Sequence, residues 1–213
     1  MAHHDSQDQR GIALLVALFM LIAILLVGVS AARTALESQQ NAQVERDHAV
    51  AMQAAEAALA DAERDIEGGI ASSARGALFA DGSAAGFDAH CGTPGGPNQG
   101  LCLPAPPDGV PVWQRIDLAD GSAASTSVAY GSFTGASMQT GAGPLPVRLP
   151  RYLIELLPLA LSGEGADGNA TQVYRITAIG FGMRETTRVV LQSLYRKLSA
   201  HAPPVSDEGR DSP

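Results

Sequence analysis

Apolar and polar positions divide the chain into a charge-free run, a polar helical stretch behind it and an alternating region near the C-terminus. Residues 12–32 read IALLVALFMLIAILLVGVSAA, and Arg33 ends the run. A helix over this run would be ~31 Å long, about the thickness of the hydrocarbon layer of a bilayer. A buried core helix rarely runs this far without a polar face. The pattern therefore predicts a transmembrane helix.

A second pattern follows the apolar run. Residues 33–67 contain neither Pro nor Gly and are rich in good helix formers. Apolar residues recur there in steps of three and four, and we expect them to pack against a globular head: Met52, Ala55, Leu59, Ala62 and Ile66. The charged residues are expected mostly off this stripe: Glu56, Asp61, Glu63, Arg64 and Asp65. Gly68 and Gly69 predict the end of the helix. The stripe is too short for a coiled coil, and Gly28 is the position where two separate helices would break.

Near the C-terminus the pattern changes to alternation with a period of two. Residues 151–157, 173–180 and 186–195 each place apolar side chains on one face, which predicts three strands. Glycine-containing connections at 162–165 and 180–182 suit hairpins. We expect a small antiparallel sheet with one face covering the amphipathic helix, and hence an α+β fold.

The region between helix and strands is rich in Gly and Pro. Residues 68–150 show no sustained periodicity, which predicts irregular structure with short elements. Cys91 and Cys102 flank a turn-rich loop. A zinc site would require further cysteine or histidine ligands at suitable spacing, and the sequence has none. A disulfide formed in an oxidising compartment is the favoured interpretation, and it would stabilise by roughly 3 kcal/mol.

The charge of the chain and the spacing of its reactive residues indicate neither nucleic-acid binding nor catalysis. The formal net charge is −8, and no basic stripe indicates nucleic-acid binding. The five histidines are scattered, and no Ser-His-Asp or Cys-His arrangement is evident. We therefore predict a protein that is not an enzyme and carries no metal or cofactor. Residues 199–213 are polar and contain prolines, and we expect a disordered tail there.

Several segments resemble one known family. The junction Gln9-Arg10-Gly11-Ile12 resembles a type IV prepilin leader. The segments GVSAART (28–34) and AMQAAEAAL (51–59) resemble the N-terminal region of the PilX minor pilins, with Met52 where that family usually has an aromatic residue. Three further segments are similar to the C-terminal region of that family: PRYLIE (150–155), YRITA (174–178) and VVLQSLY (189–195). The resemblance covers most of residues 12–196.

The resemblance implies a processed, pilin-like subunit. Residues 1–11 would be a leader that the prepilin peptidase removes after Gly11, and Ile12 would become the methylated N-terminus. Residues 12–32 would then be the transmembrane half of one long helix and 33–67 its amphipathic half, followed by a periplasmic head over 68–198. The chain would wait in the inner membrane as a single-pass protein and then enter the pilus.

The same resemblance implies partners and a role. The partners would be other minor pilins, a tip adhesin and the inner-membrane assembly machinery, and the protein would prime pilus assembly for adhesion or twitching motility. Most pilins carry a Glu at the fifth mature position, where this chain has Val16. A carboxylate in lipid costs several kcal/mol unless it is paired, and a subunit with no neighbour above it has no amine to offer. This difference predicts a position at the extreme tip.

Two alternatives remain at the level of sequence. A K-type minor pseudopilin of type II secretion also lacks the Glu, but that class usually has a larger, mostly helical inserted domain. A secreted or anchored binding module behind an ordinary signal would instead be cut near Ser30-Ala31-Ala32. The N-terminus of the mature protein distinguishes these possibilities.

Overall fold

The computed structural model describes residues 8–69, 74–80, 84–157 and 172–197. The first seven residues of the predicted leader, the 162–165 connection and the predicted tail lie outside the described residues. The chain divides into two compact units, Met1–Arg46 and Asp47–Pro213. Each unit is described by itself below.

The N-terminal unit contains the first part of helix α1, which spans Asp8–Ile66. Every described side chain from 12 to 46 is exposed. The helix runs through Gly28 without a break, so the alternative of two separate helices is wrong. Among the described residues, α1 is the one helix long and apolar enough to cross a membrane. An exposed apolar surface of this kind needs lipid or other protein to cover it.

The C-terminal unit contains the last turns of α1, two short helices and a mixed sheet. The helices are α2 (Ala74–Ala80) and α3 (Val112–Arg115). The strands are β1 (Leu101–Cys102), β2 (Val128–Ala129), β3 (Arg151–Leu157), β4 (Gln172–Phe181) and β5 (Arg188–Lys197). The order is β1-β3-β4-β5, and β2 also pairs with β3. The α+β class is confirmed, but the sheet is not purely antiparallel because β1 runs parallel to β3.

The three long strands lie close to the predicted segments, and β3 has the predicted bounds. β4 extends one residue beyond the predicted 173–180 segment at each end, to Gln172 and Phe181. Gly180 and Phe181, which the predicted 180–182 connection also included, lie in the strand. The turn follows them, and the Gly182 N–H donates to the Thr187 carbonyl at 2.9 Å. Gly180 is needed in the strand because a Cβ there would overlap with the Ala51 carbonyl oxygen and the Ala55 nitrogen of α1.

Side chains pack on both faces of the sheet, whereas the sequence predicted one covered face. The face towards α1 carries Tyr152, Ile154, Tyr174, Ile176 and Ala178, which pack with Ala58, Ala62 and Ile66. The opposite face carries Leu153, Ile179 and Phe181, which pack with Cys91, Cys102, Val112 and Leu118. The irregular region therefore supplies the second layer of the core.

Candidate functional site: the contact between helix and head

The face of α1 that packs on the head includes most of the predicted apolar stripe. Ala55, Ala62 and Ile66 are fully buried, and Leu59 is partly buried against the core. Met52 is 38% exposed, so the prediction that it packs on the head is wrong. The helix and β4 approach so closely at Gly180 that the contact is made by Ala51 and Ala55.

Three aspartates occupy the buried face of α1. Asp47, Asp61 and Asp65 are 1%, 0% and 1% exposed. The sequence placed Asp61 and Asp65 among the charges mostly off the stripe, which is wrong. The sequence does contain a sign that these aspartates share a face with the buried alanines. Alternating steps of four and three connect residues 47, 51, 54, 58, 61 and 65. Buried carboxylates require partners, and each of these three has them.

Asp47 binds the turn between β4 and β5. Its carboxylate accepts hydrogen bonds from the Met183 N–H at 2.6 Å, from Arg184 Nε at 2.7 Å and from Thr187 Oγ1 at 2.6 Å. Burial acts to raise the pKa of Asp47, but these donors outweigh it and the pKa lies below its ordinary value of 3.8. A side chain at Gly182 would overlap with the Asp47 carboxylate, so a glycine is required there.

Asp61 binds the loop that follows β2. Its Oδ2 accepts a hydrogen bond from the Gly131 N–H at 2.7 Å, and its Oδ1 accepts one from Thr134 Oγ1. Gly131 has a φ of 79° and a Cβ there would overlap with Ala136, so the loop needs glycine at this position. Arg64 Nη2 lies 3.5 Å from Asp61 Oδ1 at the exposed side of the helix.

Asp65 forms an ion pair with Arg75, and the Arg75 side chain is 1% exposed. The guanidinium donates from Nε to both carboxylate oxygens at 2.7 and 2.8 Å, and its Nη2 lies 2.7 Å from Oδ2. Tyr152 Oη donates to the same carboxylate at 3.0 Å. Burial raises the pKa of Asp65, and the bonds from Arg75 and Tyr152 offset part of that rise. Burial beside Asp65 also raises the pKa of Tyr152 well above its usual range.

Arg75 also connects α2 to the disulfide loop. Its Nη1 donates to the carbonyls of Pro97 at 2.8 Å and Gln99 at 2.7 Å. The guanidinium carbon lies 3.8 Å from the centroid of the Phe133 ring, a cation–π contact. One arginine therefore joins the end of α1, the loop before β1 and the segment after β2. Neither α2 nor this role of Arg75 was predicted from the sequence.

The predicted disulfide is present between Cys91 and Cys102, and both residues are fully buried. Gly100 N–H donates to the Cys91 carbonyl at 2.8 Å inside the loop. Gln99 Nε2 donates to the carbonyls of Ser125 and Ser127, each at 2.9 Å. The disulfide thus holds a loop whose backbone carbonyls accept hydrogen bonds from Arg75.

The last turn of α1 is also held by β5. Lys197 Nζ donates to the Ile66 carbonyl at 2.6 Å, which satisfies a carbonyl that the helix end leaves unpaired. Tyr195 Oη donates to Glu67 Oε1 at 2.6 Å, and this bond is the main cause that raises the pKa of Tyr195 to about 12. The lysine cation also lies at the negative end of the helix dipole.

The predicted processing site lies on the N-terminal unit. Gly11 and Ile12 both fall inside α1, and Ile12 is exposed. Val16 is 51% exposed in the same run. Within the described ranges, no group of three His, Cys, Asp or Glu residues is placed to hold a metal ion. The chemistry of the site is that of buried ion pairs and hydrogen bonds between a helix and a head.

One helix that is apolar in its first part and packed against a sheet in its last part defines a pilin-like protein. A family model described as PilX N-terminal matches residues 10–60, and one described as Type IV pilus assembly protein PilX C-term matches residues 98–197. Together the two models cover more than half of the chain, and the chain belongs to the PilX family of type IV pilus assembly proteins. Comparisons with curated proteins and with solved structures give no significant match.

This family is a structural component of the pilus, and the chain is a minor pilin that interacts with other pilus components. The apolar first part of α1 is consistent with an anchor in the inner membrane. The expected resemblance to PilX is thereby confirmed.

Proposed function

We propose that this protein is the minor pilin that starts a type IV pilus and remains at its tip. The observation that carries the proposal is Val16, which stands where most pilins have a Glu within a run that otherwise has no charge. Its side chain is exposed on α1, where a neighbouring helix would contact it. A subunit without this carboxylate does not recruit the N-terminal amine of a subunit above it, so it ends the filament.

Processing precedes this role. The leader 1–11 is removed after Gly11 by the prepilin peptidase, and Ile12 becomes the methylated N-terminus. The head over 68–198 faces the periplasm while the segment 12–32 spans the inner membrane. Other minor pilins and a tip adhesin then assemble with the chain, and the finished pilus supports adhesion or twitching motility. Membership of the PilX family favours this role over that of a K-type pseudopilin.

The test compares Val16→Glu with the matched neutral variant Val16→Gln. Immunogold labelling of the head is expected to mark one end of each pilus for the unmodified protein. Val16→Glu is expected to move label onto the shaft, because the new carboxylate can pair with the N-terminal amine of a subunit above it. Val16→Gln, which adds a polar group without the charge, is expected to keep the label at the end.

Two results would count against the proposal. Label along the shaft with the unmodified protein contradicts the tip position directly. Label that stays at the tip with Val16→Glu shows that residue 16 does not decide the position. Either result leaves the family assignment intact.

A further inference from the structure

The disulfide loop, residues 91–102, supplies part of the buried surroundings of Arg75. The guanidinium binds the Asp65 carboxylate at the end of α1, and its Nη1 donates to the carbonyls of Pro97 and Gln99. Both carbonyls lie within the segment that the disulfide closes into a ring. A buried guanidinium needs acceptors for its N–H groups, so the position of Arg75 depends on the shape of this ring.

The backbone of this ring includes a strained residue. Cys91 has a φ of 66°, in the left-handed region that disfavours a residue with a Cβ. Two bonds hold Cys91 there: its carbonyl accepts from the Gly100 N–H at 2.8 Å, and its sulfur is joined to Cys102. Cys102 lies in β1, which pairs with β3. Without the disulfide, Cys91 is free to leave this conformation, and the carbonyls of the ring move with it.

The folded head shields the disulfide from solvent. Both cysteines are fully buried, and they pack with apolar residues on the face of the sheet away from α1: Val112, Leu118, Leu153, Ile179 and Phe181. Reagents in solution therefore have no direct access to the two sulfur atoms. The bond has to form before this part of the head closes, and the closed head then protects it.

We propose that oxidation of Cys91 and Cys102 is the step that fixes the end of α1 on the head, and that Arg75 connects the two. The thiols lose two protons and two electrons to a disulfide oxidant, which is reduced to two thiols. The closed ring then presents its carbonyls to Arg75, and the guanidinium pairs with the buried Asp65 carboxylate. Without the disulfide, Arg75 loses two acceptors and the end of α1 opens more often. This device concerns the assembly of the head and does not depend on the proposed tip role.

The first experiment compares the oxidised full chain with Cys91→Ser combined with Cys102→Ser, both in neutral detergent micelles. Hydrogen exchange measured by mass spectrometry is expected to become about tenfold faster in the backbone of 62–66 and of α2 when the disulfide is absent. The backbone of 47–54 is expected to change by less than about twofold, because Asp47 holds that part of the helix through the turn between β4 and β5.

Arg75→Met tests whether the effect passes through the arginine. In a chain that carries Arg75→Met, the two serine substitutions are expected to change exchange in 62–66 by less than about twofold, because the connection is already broken. Equal acceleration with and without Arg75→Met would show that the disulfide acts on the helix by another route, and it overturns the proposal. Acceleration that is uniform over the head, or no acceleration at all, overturns it as well.

A second experiment uses proteins that keep the disulfide and are purified in the oxidised form. Because coupling between two sites is reciprocal, loosening the end of α1 also exposes the bond. Reduction by dithiothreitol, measured by alkylation and mass spectrometry, is expected to be about tenfold faster in Asp65→Asn than in the unmodified protein.

Asp47→Asn is the matched control for this rate. It removes an equally buried carboxylate at the other end of the contact, and it is expected to leave the rate of reduction within about twofold. Equal acceleration in Asp47→Asn and Asp65→Asn overturns the proposal, because reduction would then follow unfolding of the whole head. An unchanged rate in Asp65→Asn overturns it too, because the end of α1 would then not protect the bond.

Discussion

At the scale of single residues, buried carboxylates determine how the helix is held. Asp47, Asp61 and Asp65 each contact a different part of the head, and all three lie on the face of α1 that also carries the alanines. A pattern of apolar residues alone cannot find such positions, because an aspartate in a sequence is ordinarily read as solvent-exposed. Their recurrence in steps of three and four with the buried alanines was the available signal.

The Asp47 contact predicts a defined dependence of stability on pH. The pKa of Asp47 is lower in the folded chain than its ordinary value of 3.8, so its contribution is present above that value and lost as the pH falls through the folded pKa. Asp47→Asn is expected to reduce the free energy of unfolding at pH 7 by about 1.5–3 kcal/mol, because charge-assisted hydrogen bonds are lost.

Urea unfolding followed by the fluorescence of the single Trp113 measures this effect. The difference between Asp47→Asn and the unmodified protein is expected to shrink as the pH is lowered to 3. The exposed neighbour Glu45 serves as the control through Glu45→Gln, which is expected to change little. If the two proteins differ in free energy of unfolding by the same amount at pH 7 and pH 3, Asp47 acts through its shape and not through its charge.

Gly180 gives a second prediction at this scale. Gly180→Ala places a Cβ against the backbone of Ala51 and Ala55, and it is expected to destabilise the head by about 1–3 kcal/mol through overpacking. Gly121→Ala is the matched control, because a Cβ at Gly121 meets only the end of the Arg148 side chain at 3.4 Å. Thermal unfolding monitored by circular dichroism compares the two, and equal melting temperatures would contradict the close approach of strand and helix.

At the scale of elements, long periodic segments could be predicted and short ones could not. The strand β3 and the end of α1 near Gly68 follow the sequence closely, because alternation and glycine are strong local signals. The strands β1 and β2 have two residues each, too few for a period to show. Their pairing with β3 depends on tertiary contacts such as the disulfide loop, which a local pattern does not encode.

The contacts that Arg75 makes between elements could not be predicted from the sequence. It lies on α2, a helix of seven residues in a region read as irregular, yet it joins α1 to the disulfide loop. Arg75→Met is expected to cost about 3–5 kcal/mol, because it leaves the buried Asp65 carboxylate without its cation. The double variant with Asp65→Asn is expected to cost less than the sum of the two single variants.

A double-mutant cycle in urea measures this coupling. Arg64→Met with Asp61→Asn serves as the comparison, since Asp61 is buried but Arg64 is 55% exposed and its Nη2 lies 3.5 Å from Asp61 Oδ1. Contact of one partner with solvent weakens an ion pair, so this cycle is expected to show less coupling than the cycle of Arg75 and Asp65. Strict additivity of Arg75→Met and Asp65→Asn would contradict the assignment of Arg75 as the partner of the buried carboxylate.

At the scale of the whole molecule, the two units have different surfaces. In the N-terminal unit the described apolar side chains are exposed, whereas the C-terminal unit buries its own on both faces of the sheet. A chain that leaves a long apolar helix uncovered needs a membrane first and other subunits later. A pilus subunit has the same need, so the exposed apolar helix agrees with the PilX family assignment.

A pilin keeps its apolar helix after processing and carries it into the filament. Mass spectrometry of the N-terminal peptide, from protein recovered in sheared pili, tests whether this chain does so. The expected peptide begins at Ile12 and has a methylated amine. A mature chain that begins near Arg33, or a protein that is absent from pili but present with its leader intact, would contradict it.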